Sequence, residues 1–285
     1  VAVVGAWTLP WLRPRLPDPS VVVLDVGEAS CQVFCRDGRT ILFDAGTPMM
    51  RGTSSARTVI EPFLAAAGRR RVDGIVLTHW DSDHSGATPD LLRDLDVGFV
   101  AYPATDPPSR GLPGFIARTA RSEGVSLIPL RTSDTLRVGA FRAEILHPDP
   151  DRPESSENDR CLVARIREGG RTFLVTGDIE ADAERHILEG GLIRPVFGEI
   201  VPHHGSATSS TPPWVQASSP RAAFFSVGRA NRFGHPAQSV LQRYIRIGSS
   251  IFRTDRDGAL LVAWPSRRPM VYRMRNGSWL PPPRR

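Results

Sequence analysis

Between residues 79 and 84 the chain places four groups that bind protons or cations: His79, Asp81, Asp83 and His84, within Thr78-His79-Trp80-Asp81-Ser82-Asp83-His84-Ser85-Gly86. Imidazoles and carboxylates at this density resist desolvation and repel one another unless a cation sits among them. The spacing decides which backbone allows it. On a helix two residues turn through about 200°, which would point His79, Asp81 and Asp83 apart; an extended turn leaving a strand lets them share one centre. The segment follows the apolar run 74–77, and a loop at a strand end is a common place for a site. Other positions carry related chemistry. Asp178 ends an apolar strand at a Thr-Gly turn, where a carboxylate can bridge two cations or cap the next helix. His203 and His204 are adjacent at a strand end, so their side chains are expected to diverge. His235 sits between Gly234 and Pro236 in a rigid loop before a helix. His147 lies between Leu146 and Pro148, and His186 falls mid-helix among charges and reads as solvated.

These residues need elements to hold them. From Val21 onward, short β-rich runs alternate with helical ones, bounded by Gly, Pro, Asp and Asn. Strands are predicted over 21–26, 31–35 and 40–43, the last two joined by Arg36-Asp37-Gly38-Arg39, whose Asp-Gly pair is a hairpin signal. Val59, Ile60, Phe63, Leu64 and Ala67, at three- and four-residue spacing, predict a helix over 55–67 that stops at Gly68. A buried strand follows at 74–77, then weaker elements to about 130 with a Pro/Ser-rich loop at 103–113. The second half restarts the pattern. Strands at 134–147, 161–167 and 171–176 surround a polar loop at 148–159 and lead to a helix at 180–189. Strands at 198–202, 222–227, 250–254 and 259–264 then alternate with helices at 212–217 and 236–246. Strand clusters followed by helices, twice over, point to two packed sheets with helices outside, an α/β architecture. The three Cys (31, 35 and 161) fit no zinc spacing. Residues 31 and 35 lie about 13 Å apart along a strand, too far to bridge, and all three read as small core residues.

His79-x-Asp81-x-Asp83-His84-x-Gly86 resembles the second motif of the metallo-β-lactamase superfamily. Asp81, where many members have His, resembles the ComEC-type competence proteins, whose soluble domain is implicated in DNA uptake. Further segments match in order: Leu24-Asp25-Val26-Gly27, Ile41-Leu42-Phe43-Asp44-Ala45-Gly46 and Phe173-Leu174-Val175-Thr176-Gly177-Asp178-Ile179-Glu180. They continue with Val201-Pro202-His203-His204-Gly205-Ser206, Ser226-Val227-Gly228-Arg229 with Gly234-His235-Pro236, and Arg253-Thr254-Asp255-Arg256-Asp257-Gly258. The likeness covers about residues 21 to 264. One departure is Glu28-Ala29-Ser30, where the pattern usually reads Gln-Gly-Asp.

The resemblance implies a four-layer αββα sandwich holding two divalent cations, Mn²⁺ or Zn²⁺. His79 and Asp81 would hold one and Asp83 and His84 the other, with Asp178 bridging and His204 completing one set. The oxygen-rich set favours Mn²⁺ over Zn²⁺. His147 is a candidate for the superfamily's third-motif ligand. Asp44 is expected to support a ligand imidazole. Asp83, His203 and His235 are placed with the reacting phosphate, His235 as its contact or proton donor; Asn158 would line the site, and Arg229 and Arg232 would meet a nucleic-acid backbone. The implied activity is a phosphodiesterase, specifically a nuclease on DNA, single-stranded by preference, with no nucleotide cofactor. Alternatives on the same scaffold are another ester hydrolase, or a non-catalytic DNA-binding module of an import channel.

Composition bounds these expectations. With 40% apolar residues over 285, the chain can build a large core, which excludes a disulfide-stapled miniprotein, a fibre or a disordered chain. Every basic residue is Arg. The net charge is +6, and six Arg with no carboxylate lie from residue 261 onward, so the body is formally neutral and its charge does not describe a nucleic-acid surface. The expected division is an N-terminal extension at 1–20, the end of a membrane segment or a linker, then a catalytic domain at 21–264. An Arg/Pro-rich tail at 265–285 is expected to be loosely held and dispensable for cleavage. A membrane channel upstream would place the domain in the bacterial envelope, outside the cytoplasmic membrane; without one it would be cytoplasmic.

Overall fold

The computed structural model describes residues 16–48, 54–152, 156–229, 231–264, 269–275 and 277–281. The extension expected to end a membrane segment lies almost wholly outside them. Among the described residues no helix is long and apolar enough to cross a membrane.

The first sheet starts with β1 (Ser20–Val23), β2 (Gln32–Arg36) and β3 (Arg39–Phe43), paired antiparallel. Asp37 and Gly38 both take positive φ, 48° and 77°, as the two-residue turn that matches strand twist requires. A helical stretch over Ala56–Ile60 runs into α1 (Glu61–Ala66). The short β4 (Arg71–Val72) precedes β5 (Gly74–Val76), which lies parallel to β3. Next come α2 (Ser82–Ser85) and α3 (Thr88–Asp94). After them β6 (Asp96–Val97) pairs with β4, and β7 (Phe99–Pro103), α4 (Gly111–Ser122) and β8 (Ser126–Leu130) extend the first sheet in parallel.

The second sheet opens antiparallel with β9 (Thr135–Val138), β10 (Phe141–His147), β11 (Val163–Glu168) and β12 (Arg171–Val175). It continues parallel through α5 (Ala181–Glu189), β13 (Gly198–Ile200), α6 (Pro212–Ser218), β14 (Ala222–Phe225), α7 (Gln238–Arg246) and β15 (Ser250–Arg253). After α8 (Thr254–Asp257) the chain returns to the first sheet as β16 (Leu260–Ala263), β17 (Met270–Arg275) and β18 (Ser278–Leu280).

The sheets have nine and seven strands and pack face to face. Phe34 and Phe43 of the first meet Phe141 of the second, and Phe34 also meets Phe173, at 6.0–6.5 Å between ring centroids. Because side chains alternate along a strand, Val21 and Val23 enter this central layer, while Val22 joins Leu64, Leu91 and Ile116 under the first sheet's helices. Leu174, Ile187, Trp214 and Tyr244 fill the matching layer outside the second sheet. The result is the four-layer αββα sandwich. The three cysteines are free and buried.

Both expected boundaries move. Leu16 already packs on the first core layer, and the Asp18 carboxylate accepts the backbone N–H groups of Asp37 and Gly38 at 2.8 and 2.9 Å. The segment read as a loose tail supplies β17 and β18 at the edge of the nine-stranded sheet, with Val271 buried and Arg273 Nε 3.1 Å from Asp257 Oδ1. Val271 enters the central layer while Tyr272 packs on the opposite face, the alternation of a strand, which the Pro- and Arg-rich composition of the segment does not announce.

Candidate metal centre

The site gathers where parallel strands end. Asp44 follows β3, the 78–84 segment follows β5, Asp178 follows β12, His203 and His204 follow β13, and Ser226–His235 follows β14. C-terminal strand ends are where open α/β sheets present their loops; here two sheets aim theirs at one point.

One donor atom from each of Asp83, His84, Asp178 and His204 falls within 4.8 Å of all the others. His84 Nε2 lies 3.1 Å from both Asp178 Oδ1 and His204 Nε2. His204 Nε2 is 3.6 Å from Asp83 Oδ2 and 3.7 Å from Asp178 Oδ2. Ligands about 2.0–2.1 Å from a tetrahedral cation stand roughly 3.3 Å apart, so the spacing fits one. The ring tautomers fit as well. His84 Nδ1 donates to Asp44 Oδ2 at 2.7 Å, and His204 Nδ1 donates to the Ser226 carbonyl at 2.7 Å, which leaves both Nε2 atoms aimed into the cluster. Asp44 thus lies outside the cluster and holds one of its rings.

His79 stands beside this group, its ring centroid 4.1 Å from that of His84. The Thr78 hydroxyl donates to Asp44 and accepts from His79 Nδ1 at 3.1 Å. That leaves His79 Nε2 buried without a hydrogen-bond partner, 3.7 Å from Asp81 Oδ2. A buried lone pair with nothing to bind is costly, and a second cation held with Asp81 would satisfy it. Asp81 itself is half exposed.

Charge in the cluster is strongly coupled. Burial opposes ionisation of Asp178, but His84 and His204 hold its carboxyl well below the usual range. Asp83 is likewise opposed by burial and yet lowered to about 2 by its bond to His204 and the charge of His84. Burial works to lower His84, but Asp178 and Asp44 outweigh it and raise it well above the usual histidine range. His79 is lowered by burial and then by His84. Protons on the imidazoles stand where a cation's charge would be expected.

Backbone geometry makes the convergence possible. Gly177 has φ of 54°, and a Cβ there would come within 2.8 Å of Thr78 Cβ and 3.0 Å of Cys161 Cβ, so only Gly lets the Asp178 turn pass between the sheets. Asp44, His203 and His204 also take left-handed φ, at 59°, 48° and 53°. The consecutive pair overturns the expectation that the two histidines diverge: His203 Nε2 and His204 Nε2 sit 3.8 and 3.7 Å from the same Asp178 oxygen. His203 Nδ1 faces Glu180 Oε1 at 3.2 Å.

A pocket of about 250 Å³ opens over the cluster, lined among others by Asp81, Asn158, His203, Asn231, Phe233 and His235. Burial, then the charges of His203 and His204, lowers His235. Two expected participants fall elsewhere. Arg229 is exposed and lies near Asp25 rather than among the lining residues. His147 is buried, but its Nε2 is committed to the Asp159 carbonyl at 2.7 Å, and it is not in the converging group. A ring nitrogen that donates to a carbonyl has no lone pair for a cation. Arg232 is exposed beside the pocket, its guanidinium 5.0 Å from the Phe233 ring centroid.

Sequence reasoning passed over Asn231 and read Glu28 only as part of a departure from the pattern. Asn231 Oδ1 accepts the N–H groups of Phe233 and His235 at 3.0 and 3.1 Å, and its Nδ2 donates to the His235 carbonyl. Glu28 Oε1 accepts the Arg232 N–H at 3.0 Å. The departed loop therefore packs against the 228–235 segment, where Gly228 is needed because a Cβ would come within 2.9 Å of Glu28 N. Asn231 lies within the same short segment as His235 and offered a local signal; the partnership between Glu28 and Arg232 spans over 200 residues and offered none.

Comparison with known proteins agrees with this fold. The family model described as the metallo-beta-lactamase superfamily matches residues 24–229. The chain is 31% identical over 227 residues to ComE operon protein 3 of Bacillus subtilis, covering 75% of this chain and 27% of that protein. It is 32% identical over 246 residues to competence protein ComA of Neisseria gonorrhoeae, covering 85% and 32%. Recombination protein 2 of Haemophilus influenzae is 29% identical over 252 residues, covering 86% and 29%. The chain thus spans about a third or less of these relatives. Among solved structures, the metallo-beta-lactamase fold protein YhfI of Bacillus subtilis superposes with a TM-score of 0.53 at 14% identity, over 83% of this chain and 96% of that one. CmlA, a diiron beta-hydroxylase from Streptomyces venezuelae, superposes at 0.55 with 19% identity, over 83% and 53%. Both likenesses are of fold.

Proposed function

The chain belongs to the metallo-beta-lactamase superfamily, and from that premise we propose that it is a metal-dependent phosphodiester hydrolase that cuts DNA. The observation that carries this reading is the convergence of Asp83, His84, Asp178 and His204 beneath a pocket lined by hydrogen-bonding side chains. His79 and Asp81 would hold one divalent cation and Asp83, His84 and His204 a second, with Asp178 between them. Bound there, Mn²⁺ or Zn²⁺ supplies Lewis-acid polarisation of the phosphoryl oxygens and lowers the pKa of the attacking water.

The protein's own groups do the rest. Asp44 and the Ser226 carbonyl fix the tautomers of His84 and His204, so both rings present lone pairs without reorganising. His235, with its pKa lowered, is a neutral imidazole at neutral pH and donates a hydrogen bond from its N–H to the phosphoryl or leaving oxygen. The Asn231 clamp fixes the backbone that carries that ring. His203 lines the pocket with Glu180 against its Nδ1, and Asn158, whose Nδ2 donates to the same Glu180 oxygen at 3.5 Å, lines it alongside.

DNA as substrate is supported by relatives named for competence and recombination. Since those relatives are longer by a factor of about three, the domain is proposed to work beside a membrane channel, in the envelope, on an incoming single strand. The test is incubation of a single-stranded oligonucleotide with Mn²⁺. Cleavage is expected, abolished by chelator and by Asp83→Ala or Asp178→Ala, with circular dichroism unchanged in both variants. Binding without cleavage by the wild type would sink the hydrolase reading and leave a DNA-binding module.

A further inference from the structure

The pocket rim carries an apolar ring that the chemistry above does not use. Phe233 is 61% exposed, the most exposed of the large apolar side chains among the described residues, and it lines the pocket over the cluster. Its backbone is nonetheless pinned. Asn231 Oδ1 accepts the Phe233 N–H, the adjacent Arg232 N–H is held by Glu28, and Asn231 brackets His235 on the far side. The ring stacks on the His235 imidazole at 5.8 Å between centroids and 17° between planes, with the Arg232 guanidinium 5.0 Å from its centroid.

An apolar ring left in water on a tethered loop, level with a hydrogen-bonding imidazole and next to a cation, matches what unpaired nucleobases bind. Bases stack on exposed aromatic rings with little regard to sequence, and a neighbouring Arg meets the backbone. We infer that Phe233 is the platform for an unpaired nucleobase flanking the phosphate held over the metal cluster, and that this contact selects single strands over duplex. In a duplex both faces of each base are already stacked, so the ring has nothing to accept. The other aromatic residue close to the motif, Trp80, is buried with its Nε1 donating to the Asp106 carbonyl, and does not compete for this role. The inference rests on the proposed action on DNA, but it concerns binding and strand choice rather than hydrolysis.

The test measures affinity for a short oligodeoxythymidylate by fluorescence anisotropy, for wild type, Phe233→Ala and Phe233→Trp, with intact oligonucleotides and with a series each carrying one abasic nucleotide. Phe233→Ala is expected to weaken binding roughly 5- to 100-fold, and Phe233→Trp to restore it. One abasic position should weaken the wild type by the same factor and leave Phe233→Ala unaffected. Unaltered affinity in Phe233→Ala, or an equal further loss in that variant at every abasic position, overturns the platform. Cleavage is scored separately. An oligonucleotide bound through Phe233 but never cut keeps the platform and rejects the hydrolase; one cut equally well with and without the ring does the reverse; a protein that neither binds nor cuts DNA rejects both.

Discussion

Asp44 touches no substrate in this arrangement, yet three groups depend on it: the Thr78 N–H, the Thr78 hydroxyl and His84 Nδ1. A carboxylate behind a ligand imidazole fixes the tautomer and raises basicity, and losing it typically costs 10- to 100-fold in metal affinity. Asp44→Asn keeps the left-handed backbone, which Asn tolerates, and can still accept one hydrogen bond. It is expected to weaken Mn²⁺ or Zn²⁺ binding by about tenfold or more, measured by titration calorimetry; unchanged affinity would show that His84 is oriented by its packing alone. At this scale the sequence was informative where groups share one short segment, as with Asp83 and His84, which fall in one cluster. It was less so where the partner is remote. His147 is claimed by a carbonyl twelve residues on, and His203 is turned toward the pocket by a left-handed backbone that its residue type does not announce.

The strands deliver those residues, and their own anchoring is partly ionisable. Glu199 on β13 is fully buried, accepting from Trp214 Nε1 at 2.6 Å and Ser218 Oγ at 3.0 Å and thereby tying α6 to the strand that leads to His203 and His204. Burial raises it to about 8, and likewise raises Glu184, which accepts the Ser210 and Thr211 N–H groups, to about 7. The native state thus binds protons that the unfolded chain has already released above its ordinary carboxyl pKa near 4.5. Stability from this source is therefore full at acid pH and falls as pH rises from about 4.5 towards 8, levelling off beyond. Urea midpoints should be lower at pH 9 than at pH 6, and Glu199→Gln should flatten that slope, since an amide can still serve Trp214 and Ser218. A variant as pH-sensitive as the wild type would move the effect to other groups. Most elements were legible from periodicity and turn chemistry; the Asp37-Gly38 hairpin and the helix at 55–67 appear where expected. Buried carboxylates were not, because a Glu in a strand looks the same in sequence whether it faces water or a tryptophan.

For the molecule as a whole, the edge of the nine-stranded sheet matters more than the net charge. Composition marked the last residues as dispensable, yet β17 covers β16, and Tyr272 and Trp279 pack on the core. Removing residues 269–285 is expected to lower the thermal midpoint by several degrees or leave an insoluble chain with an open strand edge. A truncated protein with an unshifted melting curve would reinstate the loose tail. The cluster, too, is a property of the whole: Asp83 and His84 come from the first sheet's loops, Asp178 and His204 from the second's. Neither half alone assembles the set, so a cation held there reads out whether the halves have docked. Metal occupancy would then be an assembly check, open only to chains whose central aromatic layer has closed.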